Sequence, residues 1–193
     1  ETDDEDLDRI ARAGAVIAHN PISNLRLGSG VMRFRAIRDQ GIPIALGTDE
    51  AIADDAVNMW AVAKMTGLIH NIADPDYETW PTALEVLDCL ILGGHRAMRS
   101  DDLGAIAPGQ TADLCLIDLD TLPFTPLNDI HRQLVYCENG SSVRLTMIDG
   151  RIVFSGGRVQ TMDERTIREE SRQLANDRRA GLRAAAVEAE EWH

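Results

Sequence analysis

Two side chains that can carry protons or bind a metal stand where apolar stretches of the sequence end. His19 closes the apolar run of residues 15–18, and Asp49 follows the run of residues 42–46 after a Gly-Thr pair. A carboxylate at a strand end can bind a divalent metal and take a proton from the metal's water. A nearby imidazole can bind a metal, carry a proton or contact a substrate. Taken alone the signal is weak, because such an Asp commonly caps a helix or loop and such a His is commonly structural.

The elements that must position these two residues alternate between helix and strand. A first helix is expected to begin at a capping box formed by Thr2 and Glu5, and a second is expected at about residues 31–39. The apolar runs 15–18 and 42–46 are short and uninterrupted, which is typical of parallel strands buried on both faces. The pattern predicts an α/β fold, in which reactive residues collect at the carboxyl ends of strands. A capped helix at the very first residues also suggests a fragment of a longer protein.

Two further helices are expected within residues 56–99, separated by a break at residues 74–76. The second should begin at Thr82, which forms a capping box with Glu85. His70, on the first of these helices, is interpreted as a structural residue. Helical spacing on the first helix is shown by Val57, Trp60, Ala61, Met65 and Leu68, and the apolar residues of the second that would face a core are Leu84, Leu87, Leu90 and Ile91.

The C-terminal part of the sequence has a different pattern. Residues 114–117, 143–148 and 151–154 read as strands of a small antiparallel module, and the Asp-Gly pair at 149–150 is a strong hairpin signal. Residues 163–191 predict a charged helix that lies on the surface of the rest. The expected regions are 1–103, 104–160 and 161–193.

Four motifs together resemble the amidohydrolase superfamily, in its branch of cytosine, guanine, adenosine-derivative and chlorotriazine hydrolases. Residues 19–30 read HNPISNLRLGSG, which is similar to the segment at the end of that family's seventh barrel strand. Residues 47–49 read GTD, as on its last barrel strand. Residues 103–114 resemble the exit from the barrel into a small β domain, and residues 146–153 resemble that domain's closing hairpin. Because the motifs occur in the family's order and spacing, the resemblance is specific.

This resemblance implies the C-terminal portion of a (β/α)8 TIM barrel, followed by part of a small β-sandwich domain and a C-terminal helix. It also implies one divalent metal, with zinc expected and iron as the alternative. Asp49 would be both a ligand of this metal and the catalytic base that deprotonates the metal's water. Ser23 and Asn24 are candidate substrate contacts in a loop over the substrate, although they could equally cap a turn. His19 is a further candidate substrate contact.

The implied activity of the complete protein is hydrolysis of a C–N bond on a heterocyclic ring, most simply a deamination that releases ammonia. One alternative is removal of chloride or an alkylamine from a triazine-like ring. A rival of another class is a non-catalytic chain, such as a half-barrel that assembles with a partner. Open barrel edges would leave unpaired strand groups and apolar surface, so we expect another part of the protein or a partner chain to cover them.

Two features depart from the family pattern. The family's other metal ligands are an HxH pair and two more histidines on earlier strands, and the sequence contains no HxH. Since zinc needs three or four ligands, this segment is expected to be inactive alone, with the remaining ligands outside it. Glu50, Asp54 and Asp55 also stand where the family commonly has Gly and a Ser-Asn-Asn stretch. Such carboxylates would favour a basic or neutral substrate, although Asp54 and Asp55 are otherwise interpreted as a solvated loop.

The composition of the sequence limits the classes of partner that the protein is expected to bind. The net charge of −13 argues against nucleic acid and against an anionic membrane surface, because both bind clustered Lys and Arg. No apolar run approaches the roughly 20 residues that span a bilayer. Cys89, Cys115 and Cys137 are widely spaced among apolar neighbours and are interpreted as buried, reduced thiols of a cytoplasmic protein. A homo-oligomer that acts on a small heterocyclic molecule is expected by analogy with the family.

Overall fold

The computed structural model describes the backbone of residues 3–190 and the side chains of residues 3–182. The region that carries His19 and Asp49 alternates helices with two strands, as the sequence predicts. Its elements are α1 (Asp4–Arg12), β1 (Ile17–His19), α2 (Pro21–Leu27), α3 (Phe34–Asp39), β2 (Ile44–Leu46) and α4 (Ala51–Asp54).

Strands β1 and β2 pair in parallel, with His19 opposite Leu46 and Ile17 opposite Ile44. Helices α1 and α3 and a later helix contribute to one core with these strands. The buried residues of this core are Leu7, Phe34, Ile37, Ile42, Ile44 and Cys89. Both apolar runs contain strands that contact this core, which confirms the α/β assignment. The expected burial on both faces was wrong for β1, where Ile17 is half-buried and Ala18 is exposed.

The start of α1 differs from the expectation by one residue. Asp3 is the N-cap, and its side chain accepts the Asp6 N–H at 2.9 Å while the Asp6 carboxylate reaches back to the Asp3 N–H at 3.5 Å. Glu5 instead pairs with Arg9 at 2.6 Å, and Thr2 lies outside the described residues. An Asp caps a helix at least as well as a Thr, so the helix itself was predicted correctly.

Two long helices follow, as expected: α5 (Met59–Ala73) and α6 (Ala83–Met98). The predicted capping box at the start of α6 is present. Thr82 Oγ1 accepts the Glu85 N–H at 3.2 Å, and a Glu85 carboxylate oxygen accepts the Thr82 N–H at 2.9 Å. This reciprocal pair satisfies two backbone donors that the first turn of a helix leaves unpaired.

The buried face of α6 differs in part from the one predicted, and α5 buries a face that its sequence did not define. The buried residues of α5 are Val62, Ala63, Thr66, Gly67, Ile69 and His70, whereas Leu68 is 43% exposed. On α6, Leu87 is buried, but Leu84 and Ile91 are 61% and 56% exposed. Because apolar residues occur nearly all round α5, their spacing did not define one face.

Helix α6 approaches β2 closely at Gly93. A Cβ atom at this position would collide with the carbonyl oxygen of Ile44 and the Cα of Ala45. The absent side chain lets the helix lie directly on the strand backbone. This contact fixes the strand whose end leads to Asp49.

The C-terminal module is one antiparallel sheet of order β3-β4-β5-β6. Asp149 and Gly150 have φ values of 49° and 71°, as a two-residue hairpin turn requires. The predicted strands and hairpin are thus confirmed, whereas a sandwich of two sheets stays an expectation. The elements are β3 (Leu114–Ile117), α7 (Ile130–Tyr136), β4 (Val143–Ile148), β5 (Arg151–Ser155) and β6 (Arg158–Val159).

The final helix, α8 (Glu164–Glu190), was predicted in position but not in packing. Ile167, Leu174 and Leu182 are 44%, 69% and 63% exposed, and none of its described side chains is buried. Its thin apolar content gives it little to bury against the rest of the chain. No helix in the described part of the chain is long and apolar enough to cross a membrane.

The prediction of three buried thiols was wrong for two of them. Cys89 is buried, while Cys115 and Cys137 are exposed. Burial raises the pKa of the Cys89 thiol to about 11, so this cysteine packs as a small apolar residue.

Candidate active site

Parallel pairing brings the ends of β1 and β2 to the same edge of the sheet. The Gly47 N–H donates to the His19 carbonyl oxygen at 3.0 Å, so the pairing continues to the point where both strands end. A side chain at Gly47 would collide with Asn20 Oδ1. The Asn20 side chain therefore occupies the space beside Gly47, and Asp49 lies two residues further on.

Asp49 has a constrained backbone and an exposed side chain. Its φ of 63° is in the left-handed region, which is costly for residues other than glycine but is tolerated by Asp. Both carboxylate oxygens accept a hydrogen bond: Oδ1 from the Glu50 N–H at 2.9 Å and Oδ2 from the Ser23 hydroxyl at 2.7 Å. The carboxylate is held by two different elements and still faces solvent.

Ser23 and Asn24 were expected in a loop but lie on helix α2. Pro21 occupies the first turn of this helix, where its missing N–H costs nothing and its φ suits a helix. Ser23 is 2% exposed, and Asn24 is half-buried. The turn-forming residues hid the helix from sequence analysis, yet the structure does bring Ser23 to Asp49.

The ring of His19 is buried and packs against a histidine of helix α5. His19 shares a face of β1 with Ile17, because side chains alternate along a strand, and Ile17 packs against the core beneath the helices. There the buried His19 Nε2 lies 3.3 Å from Nε2 of His70 on α5. The centroid of the Phe34 ring lies 5.0 Å from the centroid of the His70 ring. Among the described hydrogen bonds, none joins His19 to Asp49, although both residues lie at the same edge of the sheet.

Both imidazoles of this pair are held neutral. Burial lowers the pKa of His19 to about 3, and the neighbouring His70 lowers it in the same direction. Burial also lowers the pKa of His70 to about 4, against the effect of a hydrogen bond to the Met32 backbone. Within the described residues, His19 Nδ1 has no hydrogen-bond partner. The pairing with His70, 51 residues away in the sequence, carried no local signal that could have predicted it.

The sequence predicted a solvated loop at Asp54 and Asp55, and the structure confirms this for Asp55 but not for Asp54. Asp54 is only 7% exposed, and its Oδ2 has no hydrogen-bond partner among the described residues. Asp55 is exposed and forms an ion pair with Arg26 of α2, and Glu50 is exposed. The prediction that Asp54 is solvated was therefore wrong. Asp54 is buried at the end of α4, a helix that contacts α2.

The described residues contain no group of three or more His, Cys, Asp or Glu side chains that could hold a metal ion. Asp49 nevertheless fits as one ligand. Its carboxylate is accessible, and each oxygen accepts one described hydrogen bond although it can accept two. The other ligands of a metal at this edge would have to come from beyond the described residues.

Comparison with known sequences places this site in context. The sequence model of the amidohydrolase family matches residues 1–153. The chain is 37% identical over 162 residues to a 5-methylthioadenosine/S-adenosylhomocysteine deaminase of Nitratidesulfovibrio vulgaris, covering 84% of this chain and 36% of that protein. It is 30% identical to a 5'-deoxyadenosine deaminase of Methanosarcina mazei, covering 90% of this chain and 40% of that protein. The chain therefore spans well under half the length of these relatives.

Solved structures match the same part of the chain. A zinc-bound adenosine deaminase from Xanthomonas campestris superposes with a TM-score of 0.87 at 26% identity, covering 93% of this chain and 41% of the other. An atrazine chlorohydrolase from Arthrobacter aurescens complexed with zinc gives a TM-score of 0.84 at 26% identity, covering 90% and 39%. The fold described above is thus similar to one part of larger zinc-containing hydrolases.

Proposed function

The chain belongs to the amidohydrolase family, and from this premise we propose that it is the C-terminal part of a zinc-dependent deaminase of adenosine derivatives. The observation that carries the proposal is the Asp49 carboxylate, which is accessible at the end of β2 and held by Ser23 at 2.7 Å. The relatives' names support the substrate class, since they are deaminases of 5-methylthioadenosine, S-adenosylhomocysteine and 5'-deoxyadenosine.

In this proposal β1 and β2 are the last two strands of a (β/α)8 barrel within residues 1–103. Residues 104–160 would contribute strands to a small β-sandwich, and residues 161–193 would form the terminal helix. In such barrels the active site is built at the carboxyl ends of the strands, which is where Asp49 follows β2. The remaining strands and the remaining metal ligands would come from the rest of a longer protein.

Asp49 would bind the metal and handle protons during the reaction. When bound, a zinc ion would lower the pKa of a water molecule to near 7 and polarise the ring. Asp49 would accept the proton that the attacking water loses and return it to the leaving nitrogen. A C–O bond forms at the ring carbon, the C–N bond breaks, and ammonia leaves. Asn24, Ser23 and His19 stay predicted substrate contacts, and a cytoplasmic homo-oligomer stays a prediction from the sequence.

A second candidate is hydrolytic release of chloride or an alkylamine from a triazine ring. The observation that favours it is the similarity to the atrazine chlorohydrolase, whose TM-score nearly equals that of the adenosine deaminase. Deamination is preferred because the relatives with the higher sequence identities are deaminases.

The test is a substrate screen with the full-length protein loaded with zinc. Ammonia release would be measured on 5'-methylthioadenosine, S-adenosylhomocysteine, 5'-deoxyadenosine and guanine, and chloride and alkylamine release on atrazine. The proposal expects ammonia from the adenosine derivatives. Release of chloride or alkylamine from atrazine, with no ammonia from the adenosine derivatives, would select the second candidate. A full-length protein that acts on none of these substrates would favour the non-catalytic reading.

A further inference from the structure

We propose that Ser23 is the positioning residue for Asp49, fixing the orientation of its carboxylate by holding one oxygen. The inference rests on the proposed function, in which Asp49 binds the metal and carries the proton. A hydroxyl group has one proton to donate, and that of Ser23 is donated to Asp49 Oδ2 at 2.7 Å. Ser23 therefore has no proton left to donate to a substrate, so the substrate contact predicted from the sequence would use its oxygen as an acceptor.

The position of the Ser23 hydroxyl is set by packing. Ser23 is 2% exposed on α2, a helix whose first turn contains Pro21 and whose C-cap is Gly28 with a φ of 67°. Asp49, by contrast, is exposed, and an exposed carboxylate otherwise samples several rotamers. The hydrogen bond joins the exposed carboxylate to a buried side chain, and packing around Ser23 restricts the rotamers of that side chain.

The second hydrogen bond to Asp49 shows what remains when the first is removed. Oδ1 accepts the backbone N–H of Glu50 at 2.9 Å, and this bond does not depend on any side chain. Without the Ser23 hydroxyl the carboxylate keeps the hydrogen bond from the adjacent Glu50 N–H and loses the hydrogen bond from helix α2. Removal of a hydrogen-bond partner behind a metal ligand typically costs roughly 10- to 100-fold in metal affinity or activity.

The experiment compares Ser23→Ala with a matched control in the full-length protein. Ser142→Ala is the control, because Ser142 is also fully buried and its hydroxyl lies 2.8 Å from Thr121 Oγ1 in the C-terminal module, outside the candidate site. Zinc affinity is measured by competition with a chelator, kcat and KM by ammonia release, and folding by the thermal midpoint. Ser23→Thr retains the hydroxyl and is the second variant if Ser23→Ala does not fold.

We expect Ser23→Ala to lose roughly 10- to 100-fold in zinc affinity or in kcat, with KM changed by less than about threefold. Ser142→Ala and Ser23→Thr should stay within about threefold of wild type in zinc affinity and kcat. A folded Ser23→Ala protein with unchanged zinc affinity and kcat overturns the proposal. A folded Ser23→Thr protein whose zinc affinity or kcat is roughly 10- to 100-fold lower than that of wild type also overturns it.

The zinc competition also separates this inference from the proposed function. A wild-type protein that binds zinc but deaminates none of the substrates overturns the proposed function, and the zinc affinity of Ser23→Ala then decides the role of Ser23. A wild-type protein that binds no zinc overturns both.

Discussion

The Ser23 hydroxyl donates a hydrogen bond to Asp49 Oδ2 at 2.7 Å, across 26 residues of sequence. Ser23 lies on the helix that follows β1, and Asp49 lies after the end of β2. The bond therefore ties together the segments that leave two neighbouring parallel strands. It couples the packing of the core to the one carboxylate that the proposed chemistry requires.

The buried histidine pair predicts an acid-sensitive fold. His19 and His70 have folded-state pKa values of about 3 and about 4, below the ordinary value of 6.5. The unfolded chain therefore binds more protons below pH 6.5, so stability is full above that pH and falls as the pH drops towards 4. Urea unfolding of the full-length protein at pH 7 and pH 5 should show a loss of stability at pH 5.

Two histidine variants test whether the loss of stability at pH 5 comes from the His19–His70 pair. His70→Gln cannot take up a proton, so it should reduce the difference in unfolding free energy between pH 7 and pH 5. His131→Gln replaces an exposed imidazole and should leave that difference as in wild type. Equal pH dependence in wild type and His70→Gln would show that the buried pair does not contribute.

Adjacent glycines of α6 should respond in opposite ways to alanine. A Cβ at Gly93 would collide with the Ile44 carbonyl oxygen, whereas a Cβ at Gly94 has no atom within 4 Å. Gly93→Ala should destabilise the protein by about 1–3 kcal/mol through overpacking. Gly94→Ala should stabilise it by about 0.5–1 kcal/mol, because alanine favours the helix. Denaturant unfolding of both variants provides the measurement, and similar effects at both positions would contradict the close packing of α6 on β2.

The acidic residues around Asp49 should make the enzyme disfavour anionic substrates. Glu50 is exposed and Asp54 is buried, while Arg26, the nearby cation on α2, forms an ion pair with Asp55. Adenosine and adenosine 5'-monophosphate differ only in the phosphate and so form a matched pair. We expect kcat/KM for adenosine to be higher by about tenfold, equivalent to about 1.4 kcal/mol. The ratio should fall as salt screens the exposed charges, and a preference for the monophosphate would disprove the electrostatic account.

Local sequence patterns predicted the frame of the site. Uninterrupted apolar runs identify β1 and β2, and a carboxylate at a strand end is visible without any knowledge of tertiary contacts. Helix α2 was missed because Pro21, Ser23 and Asn24 are all common in turns, and Pro also suits the first turn of a helix.

Contacts between distant segments could not be predicted from the same patterns. The burial of His19 against His70 and the bond from Ser23 to Asp49 depend on how β1, α2 and α5 pack, and local patterns do not show which distant segments meet. Likewise, the apolar spacing along α6 predicted that Leu84 would face the core, whereas Leu84 is 61% exposed.

The most direct test of the proposed function is the rate of ammonia release from 5'-methylthioadenosine by the zinc-loaded full-length protein and its Asp49→Asn variant. Asparagine keeps the size of the side chain but removes the charge and the ability to carry the proton. The account predicts that wild type releases ammonia and that Asp49→Asn loses roughly 100- to 10,000-fold in kcat, the usual contribution of a general acid–base. A folded Asp49→Asn protein that releases ammonia at the wild-type rate would contradict it.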